Sequence, residues 1–262
     1  MKNMLAWKQP NDRPLVAVHR GYQGGNILPN TVESVRAAIA VADIAEIDVS
    51  YADGQCYVFH DSEEAPMFGF LNDLEDLRAD AIARLRYTNR YGCLTGHPVN
   101  TLDEILDAVG DGYVNIDRCW QSPAKAAAVV AAVKAHGMTR QALLKAPPQF
   151  AGLFPEDVAF MPIVSSTDEL RQAEAARRLD AVEILFATPA AAEPILAYCK
   201  EKAYPTWVNT IVLNDTAVLS GGLDDAGGLF DPAAHWGRLY RMGFAILQTD
   251  FPADVLRYFG GK

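Results

Sequence analysis

Two histidines, three carboxylates and an arginine stand at the ends of apolar runs, and they are the residues of this chain best suited to chemistry. His19-Arg20-Gly21 follows Leu15-Val16-Ala17-Val18, Glu46 and Asp48 lie in a run from Ile44 to Ser50, and His60-Asp61 follows Tyr57-Val58-Phe59. Such runs read as buried strands, and ionisable groups at a strand tip stand on the rim of a core, where reacting groups are usually placed. A histidine titrates near neutrality and can give or take a proton. Side chains alternate along a strand, so Glu46 and Asp48 share one face. Burying two neighbouring carboxylates is costly unless a cation pairs with them, and Mg²⁺ or Ca²⁺ prefers such oxygens. A structural ion pair with arginine is the alternative. Asn115 and Asp117 repeat this pattern in Tyr113-Val114-Asn115-Ile116-Asp117, which makes Asp117 a third ligand or a cap for the segment that follows. Arg20 carries a planar fork that can grip phosphate, or it pairs with Glu46 or Asp61. The set supplies two proton-transfer groups, a hard-metal site and an anion contact, a combination suited to metal-assisted cleavage of a phosphate ester. His97, His136 and His235 read as a loop, a helix end and a helix face.

The elements that must position these groups alternate in type. Strand-like runs fall at 15–19, 44–50, 113–118, 142–146, 159–164, 182–187, 205–211 and 243–249. Helical patterns separate most of them: Thr31 to Ala42, Leu102 to Val109, Pro123 to His136, Ser166 or Thr167 to Arg178, Pro189 to Lys202, and Pro252 to Tyr258. Asn30 or Thr31 can cap the first, Thr101 with Glu104 the second, and Gly137 stops the third. Eight strand–helix units in 262 residues fit one closed (β/α)8 barrel over 1–262. Gly221 to Gly228 reads as a turn. Residues 62–98 form a long connection, partly helical around Leu74 to Leu85, that can cover the site. The GxGxxG and GxxxxGK[ST] phosphate loops are absent from the sequence.

A net charge of −10 argues against nucleic acid or an anionic membrane as partner, so an anionic substrate needs a locally positive site. The four cysteines form no CxxC pair, which argues for reduced thiols. Met1 to Arg13 lacks the apolar stretch of a signal peptide and no run has membrane-spanning length, so a cytoplasmic protein without stable membrane insertion is expected. No pattern in the sequence sets an oligomeric state.

Val18-His19-Arg20-Gly21, Asn30-Thr31, Glu46-Ile47-Asp48-Val49, Asp53-Gly54 and His60-Asp61 together resemble the glycerophosphodiester phosphodiesterase family, whose pattern runs HRG, PENT, E-x-D, DG and HD. The resemblance continues in Asn100-Thr101-Leu102-Asp103-Glu104, Asn115-Ile116-Asp117, Trp207-Val208-Asn209 and Thr249-Asp250-Phe251-Pro252. It implies an α/β TIM barrel with a small hairpin and connection (about 53–98) near the C-terminal face. It further implies hydrolysis of a small-molecule glycerophosphodiester to an sn-glycerol phosphate and an alcohol. One divalent cation, Mg²⁺ or Ca²⁺, would sit on Glu46, Asp48 and Asp117, with His19 and His60 as acid and base and Arg20 on the phosphate. The alternatives are a related phosphodiesterase or lyase acting on a lysophospholipid or sugar-phosphate diester, a non-catalytic phosphoester-binding barrel, and a sugar isomerase barrel.

Three departures mark this chain. Leu28-Pro29-Asn30-Thr31 keeps only the Asn-Thr half of PENT, Asp117 stands where the family has glutamate, and Cys119 stands where it has a site-facing lysine. Arg118 is expected to point to the opposite face. Lys145, in the apolar run Ala142 to Pro147, is costly to bury without an anion. It is expected to restore the phosphate contact above Cys119; the alternative is that it snorkels to solvent.

Overall fold

The computed structural model describes residues 7, 10, 12–213 and 218–260, so most of the Met1–Arg13 stretch lies outside the described residues. The eight expected runs form strands β1 (Leu15–Val18), β2 (Ile44–Ala52), β4 (Tyr113–Asp117), β5 (Ala142–Ala146), β6 (Ala159–Val164), β7 (Val182–Ile184), β8 (Thr206–Asn209) and β9 (Ile246–Thr249). A further strand, β3 (Gln55–Val58), pairs antiparallel with the outer part of β2. The other eight pair in parallel, and the ring closes because β1 bonds both β2 and β9. The protein is therefore a (β/α)8 TIM barrel with one strand outside the ring.

Parallel strands are buried on both faces, which is why they read as continuous apolar runs. Ala45, Ile47 and Val49 pack outward with Val16, Val18, Val114, Ile116, Leu144 and Phe160 against the helices. Leu15, Ala17, Ile44, Leu143, Ala159, Met161, Trp207 and Ile246 fill the barrel interior. Glu46 and Asp48 continue the inward face of Ile44 and are fully buried. The interior thus changes from apolar to charged along β2, toward its C-terminal end.

The helices obey their local signals. Thr31 caps α1 (Val32–Val41) and Thr101 caps α4 (Leu102–Val109), each in a capping box whose third residue is Ser34 and Glu104 respectively. Ser122 caps α5 (Pro123–Ala135), which ends before Gly137 at φ 68°. Helices α6 (Thr167–Ala176), α7 (Pro189–Lys202) and α10 (Pro252–Gly260) complete the expected set. No helix among the described residues is long and apolar enough to cross a membrane.

Two expectations are corrected here. Gly221 to Gly228 is not wholly a turn: Asp225–Phe230 forms helix α8, capped by Asp224, and Trp236–Met242 forms helix α9. Glycine is a poor helix former, yet close packing requires it. A Cβ on Gly227 would collide with the His235 ring, and one on Gly228 with the Trp236 indole. His235 accordingly precedes α9 as its cap residue rather than lying on a helix face.

The connection after β3 carries short helices α2 (Glu64–Phe68) and α3 (Ala79–Ile82) and has its own core of Leu28, Tyr57, Phe59, Leu74, Ile82, Tyr87 and Val99. Glu75 anchors it to the barrel by accepting from Tyr51 N at 2.9 Å and pairing with the buried Lys125. Lys125 also donates to Val49 O at 3.3 Å. The hairpin and connection stand at the C-terminal ends of the strands, with Glu63 reaching Arg20.

Candidate active site

Two inward carboxylates on β2 and one at the end of β4 meet at the C-terminal mouth of the barrel. Glu46 pairs in register with Asn115, and Asp48 with Asp117. One oxygen from each of Glu46, Asp48 and Asp117 lies within 4.8 Å of the others. Burial, and then the charge of Asp48, push the Glu46 carboxyl up to about 7, although Lys145 and His19 pull the other way. Burial also opposes ionisation of Asp48, but Arg20, both histidines and Asn30 outweigh it and hold Asp48 below its usual range. Burial and the neighbouring carboxylates thus outweigh the positive charge of Lys145 and His19 at Glu46. Three hard oxygens with a shortage of cation fit Mg²⁺ or Ca²⁺.

The loop after β1 is shaped to bring Arg20 over this cluster. Arg20 has φ 55°, its N–H donates to Glu46 Oε2 at 3.0 Å, and its guanidinium lies 3.3 Å from Asp48 Oδ2 and 3.1 Å from Glu63 Oε1. Gly21 must be glycine: φ is +74°, and a Cβ would approach Ser34 Oγ to 2.5 Å. Asn30, at φ 57°, donates from Nδ2 to Asp48 Oδ2 at 3.0 Å, while its Oδ1 accepts from Asp48 N at 3.1 Å. Of the two cap candidates, Thr31 caps the helix and Asn30 orients the carboxylate.

The two histidines reach the mouth in unlike settings. His19 Nδ1 is 2.9 Å from Asp250 Oδ1. Burial lowers the His19 pKa, but the Asp250 hydrogen bond and the charges of Glu46 and Asp250 outweigh it, so the net shift is upward. His60 Nδ1 is 2.5 Å from Asp61 O, and its Nε2 is 2.9 Å from Arg118 Nη2. Arginine stays protonated and can only donate, so Nε2 accepts and the His60 proton sits on Nδ1. A cleft of about 270 Å³ opens beside His19, Arg20, Gln23, Glu63 and Asp250.

Lys145 does not snorkel. Its ammonium is buried 3.5 Å from Glu46 Oε1, 3.1 Å from Asp117 Oδ2 and 3.4 Å from Glu183 Oε2, and it donates to Gln248 Oε1 at 3.4 Å. Burial would lower its pKa, but Asp117, Glu183 and Glu46 drive it well above the ordinary value. Burial raises Glu183 in turn.

The expected sides of Arg118 and Cys119 are reversed. Strand alternation assumes extended backbone, but Arg118 has φ 59°. That bend turns Arg118 to the mouth beside His60 and Asp61. Cys119 is tucked into the outer core, its Sγ 3.6 Å from Ile116 O and 3.5 Å from Lys145 O.

The structure thus brings His19, Arg20, Glu46, Asp48, His60, Asp117 and Lys145 around one mouth. It adds Glu63 and Glu183, which the sequence reading did not single out, Asp250, which it carried only within the Thr249–Pro252 match, and Arg118, which it placed on the opposite face. Glu183 had a signal of the same kind as Lys145, a charge inside the apolar run Val182-Glu183-Ile184.

Comparison with known proteins bears on the fold. A family model, DUF4996, described as a domain of unknown function, matches residues 160–259. No curated protein matches the chain. Among solved structures, a glycerophosphoryl diester phosphodiesterase from Parabacteroides distasonis superposes with a TM-score of 0.77 at 16% identity, over 98% of this chain and 90% of that one. A phosphodiesterase from Oleispira antarctica, solved in complex with the product sn-glycerol-3-phosphate, gives 0.69 at 17% identity, over 95% and 98%. A glycerophosphodiester phosphodiesterase from Agrobacterium tumefaciens gives 0.67 at 20% identity, over 92% and 98%. At these identities the shared property is the barrel: the chain has the fold of glycerophosphodiester phosphodiesterases.

Proposed function

We propose that this protein is a metal-dependent phosphodiesterase that hydrolyses a glycerophosphodiester to an sn-glycerol phosphate and an alcohol. The observation that carries this reading is the Glu46–Asp48–Asp117 cluster flanked by two histidines in opposite electrostatic settings. Glu46, Asp48 and Asp117 would hold one divalent cation, Mg²⁺ or Ca²⁺. When bound, such an ion offsets the charge that builds on the non-bridging phosphate oxygens. Arg20 presents a cation at the same mouth to the phosphate. His19, drawn toward its protonated form by Asp250, gives a proton to the leaving alcohol oxygen as the P–O bond breaks. His60 takes a proton on Nε2 from the water whose oxygen attacks phosphorus. Lys145 has four acceptors around three N–H bonds. Its part is therefore to lower the negative potential beneath the phosphate rather than to grip it. A chain of net charge −10 favours a small diester in solution over an anionic surface.

The test is a panel of glycerophosphodiesters assayed after chelation, with Mg²⁺, Ca²⁺ or Mn²⁺ added back. Release of sn-glycerol phosphate is expected only with metal, and Glu46→Gln or Asp48→Asn should not be rescued by it. Turnover of none of the panel, or full turnover by protein shown metal-free by elemental analysis, would overturn the proposal.

A further inference from the structure

Arg118 is held in a conformation that ordinary strand geometry does not provide. A non-glycine residue rarely adopts the left-handed region, and Arg118 has φ 59° with its N–H donating to Asp117 Oδ1 at 2.6 Å. The bend carries the guanidinium across the mouth to His60 Nε2 at 2.9 Å. Its nearest anion there is Asp61 Oδ1, only at 3.5 Å. The other cations at the mouth are more heavily committed: Arg20 to Asp48 and Glu63, and Lys145 to Glu46, Asp117 and Glu183. Arg118 therefore faces the mouth with an imidazole ring and a single carboxylate as partners. A guanidinium has five donors in a planar fork and binds phosphate oxygens far more strongly than it binds an imidazole.

The same contact has a second effect. While Arg118 donates to Nε2, that lone pair cannot receive a proton from water, and the other ring nitrogen is turned to Asp61 O. We propose that Arg118 is a substrate-binding residue that moves from His60 Nε2 to the non-bridging oxygens of the incoming phosphodiester. The transfer uncovers the base only when an anion is present, so substrate binding and base activation are one event. The movement needs only side-chain rotation, and the Arg118 side chain is 32% exposed. No bond to hydrogen changes owner in the exchange: Arg118 keeps its N–H donors, the His60 ring keeps the hydrogen that faces Asp61 O, and Nε2 is left open.

This inference rests on the phosphodiesterase reading and is tested so that the two fail separately. Inorganic phosphate is titrated by calorimetry into the metal-loaded wild type, Arg118→Met and Arg118→Lys, and KM and kcat are measured on the best diester. Arg118→Met is expected to weaken phosphate and raise KM, each about 10-fold or more, as loss of a charged hydrogen bond does. Arg118→Lys should recover part of both. Phosphate should also move the ¹⁵N resonance of His60 Nε2 in the unsubstituted protein, a readout that stands even where Arg118→Met does not fold. A fall in kcat with KM and phosphate affinity unchanged would make Arg118 a mere support for His60 and overturn the proposal. An unmoved Nε2 resonance would do the same. If the wild type hydrolyses no diester, the function reading falls, and the phosphate titration still decides whether Arg118 binds the anion.

Discussion

The polar groups inside the first half of the barrel, from β1 to β4, and those of the second half, from β5 to β9, differ in how completely they are satisfied. In the first half, Glu46, Asp48 and Asp117 converge with too few cations, and His19 and His60 keep a ring nitrogen at the mouth. In the second half Gln248 and Asp225 are met by their neighbours, although Glu183 Oε2 accepts no hydrogen bond. Gln248 accepts from Lys145 at 3.4 Å and from Trp207 Nε1 at 3.1 Å. Asp225 accepts from Thr210, Trp236 and Thr249 hydroxyl or indole donors and from Asp250 N. One half is built to receive a ligand and the other to hold the first in place. Unmet valence, more than charge itself, separates a reacting group from a supporting one.

The sharpest way to break this contrast is at the seam, Lys145. Lys145→Met leaves Glu46, Asp117 and Glu183 without their shared cation, and breaking a buried ion pair costs about 3–5 kcal/mol. The midpoint of urea unfolding should fall accordingly, and added divalent cation should restore part of it. If Lys145 instead grips phosphate directly, stability will hold and KM alone will rise about 10-fold.

Next in size are the two histidines of the receptive half. His19→Ala and His60→Ala should each lower kcat at least about 100-fold, the double variant should be little worse than either, and both single variants should still unfold cooperatively. A near-normal rate in either single variant would place that ring among the supports.

The smallest effect is expected where the second half reaches into the first, at Asp250. Asp250→Asn removes the carboxylate that raises the His19 pKa, so the alkaline limb of kcat/KM should move to lower pH, with about 10-fold less activity at the optimum. The sign for stability follows. A raised histidine pKa stabilises the fold fully below about pH 6.5, and this is lost as pH rises through the folded value. Wild type and Asp250→Asn should therefore differ most in acid and converge in alkali. An unmoved limb would show that Asp250 does not tune His19.

How much of this was legible in the sequence follows from where each signal lives. The eight ring strands declared themselves because both faces are buried, and Glu46, Asp48 and Asp117 because inward charges interrupt those runs. Alternation placed them correctly only while the backbone stayed extended. At Arg118 a positive φ ended that regime and reversed the sides of Arg118 and Cys119. Helix α8 was hidden because glycine's poor propensity outweighed, on paper, a packing contact with His235 and Trp236 that only the folded chain makes. The partnership of His19 with Asp250 spans 231 positions, and no local pattern carries it.

That span also orders events in time. β9 completes the ring by lying against β1, with Val18 opposite Thr249. During synthesis His19 emerges 231 residues before Asp250, which at ribosomal rates is a delay of roughly 10–50 seconds. From the emergence of Asp117 to that of Asp250 the nascent chain holds both histidines and all three carboxylates, but the barrel cannot close and His19 lacks the Asp250 carboxylate that orients it. The pairing of first strand with last makes the site a product of completed synthesis: an unfinished chain carries its ingredients and not its geometry.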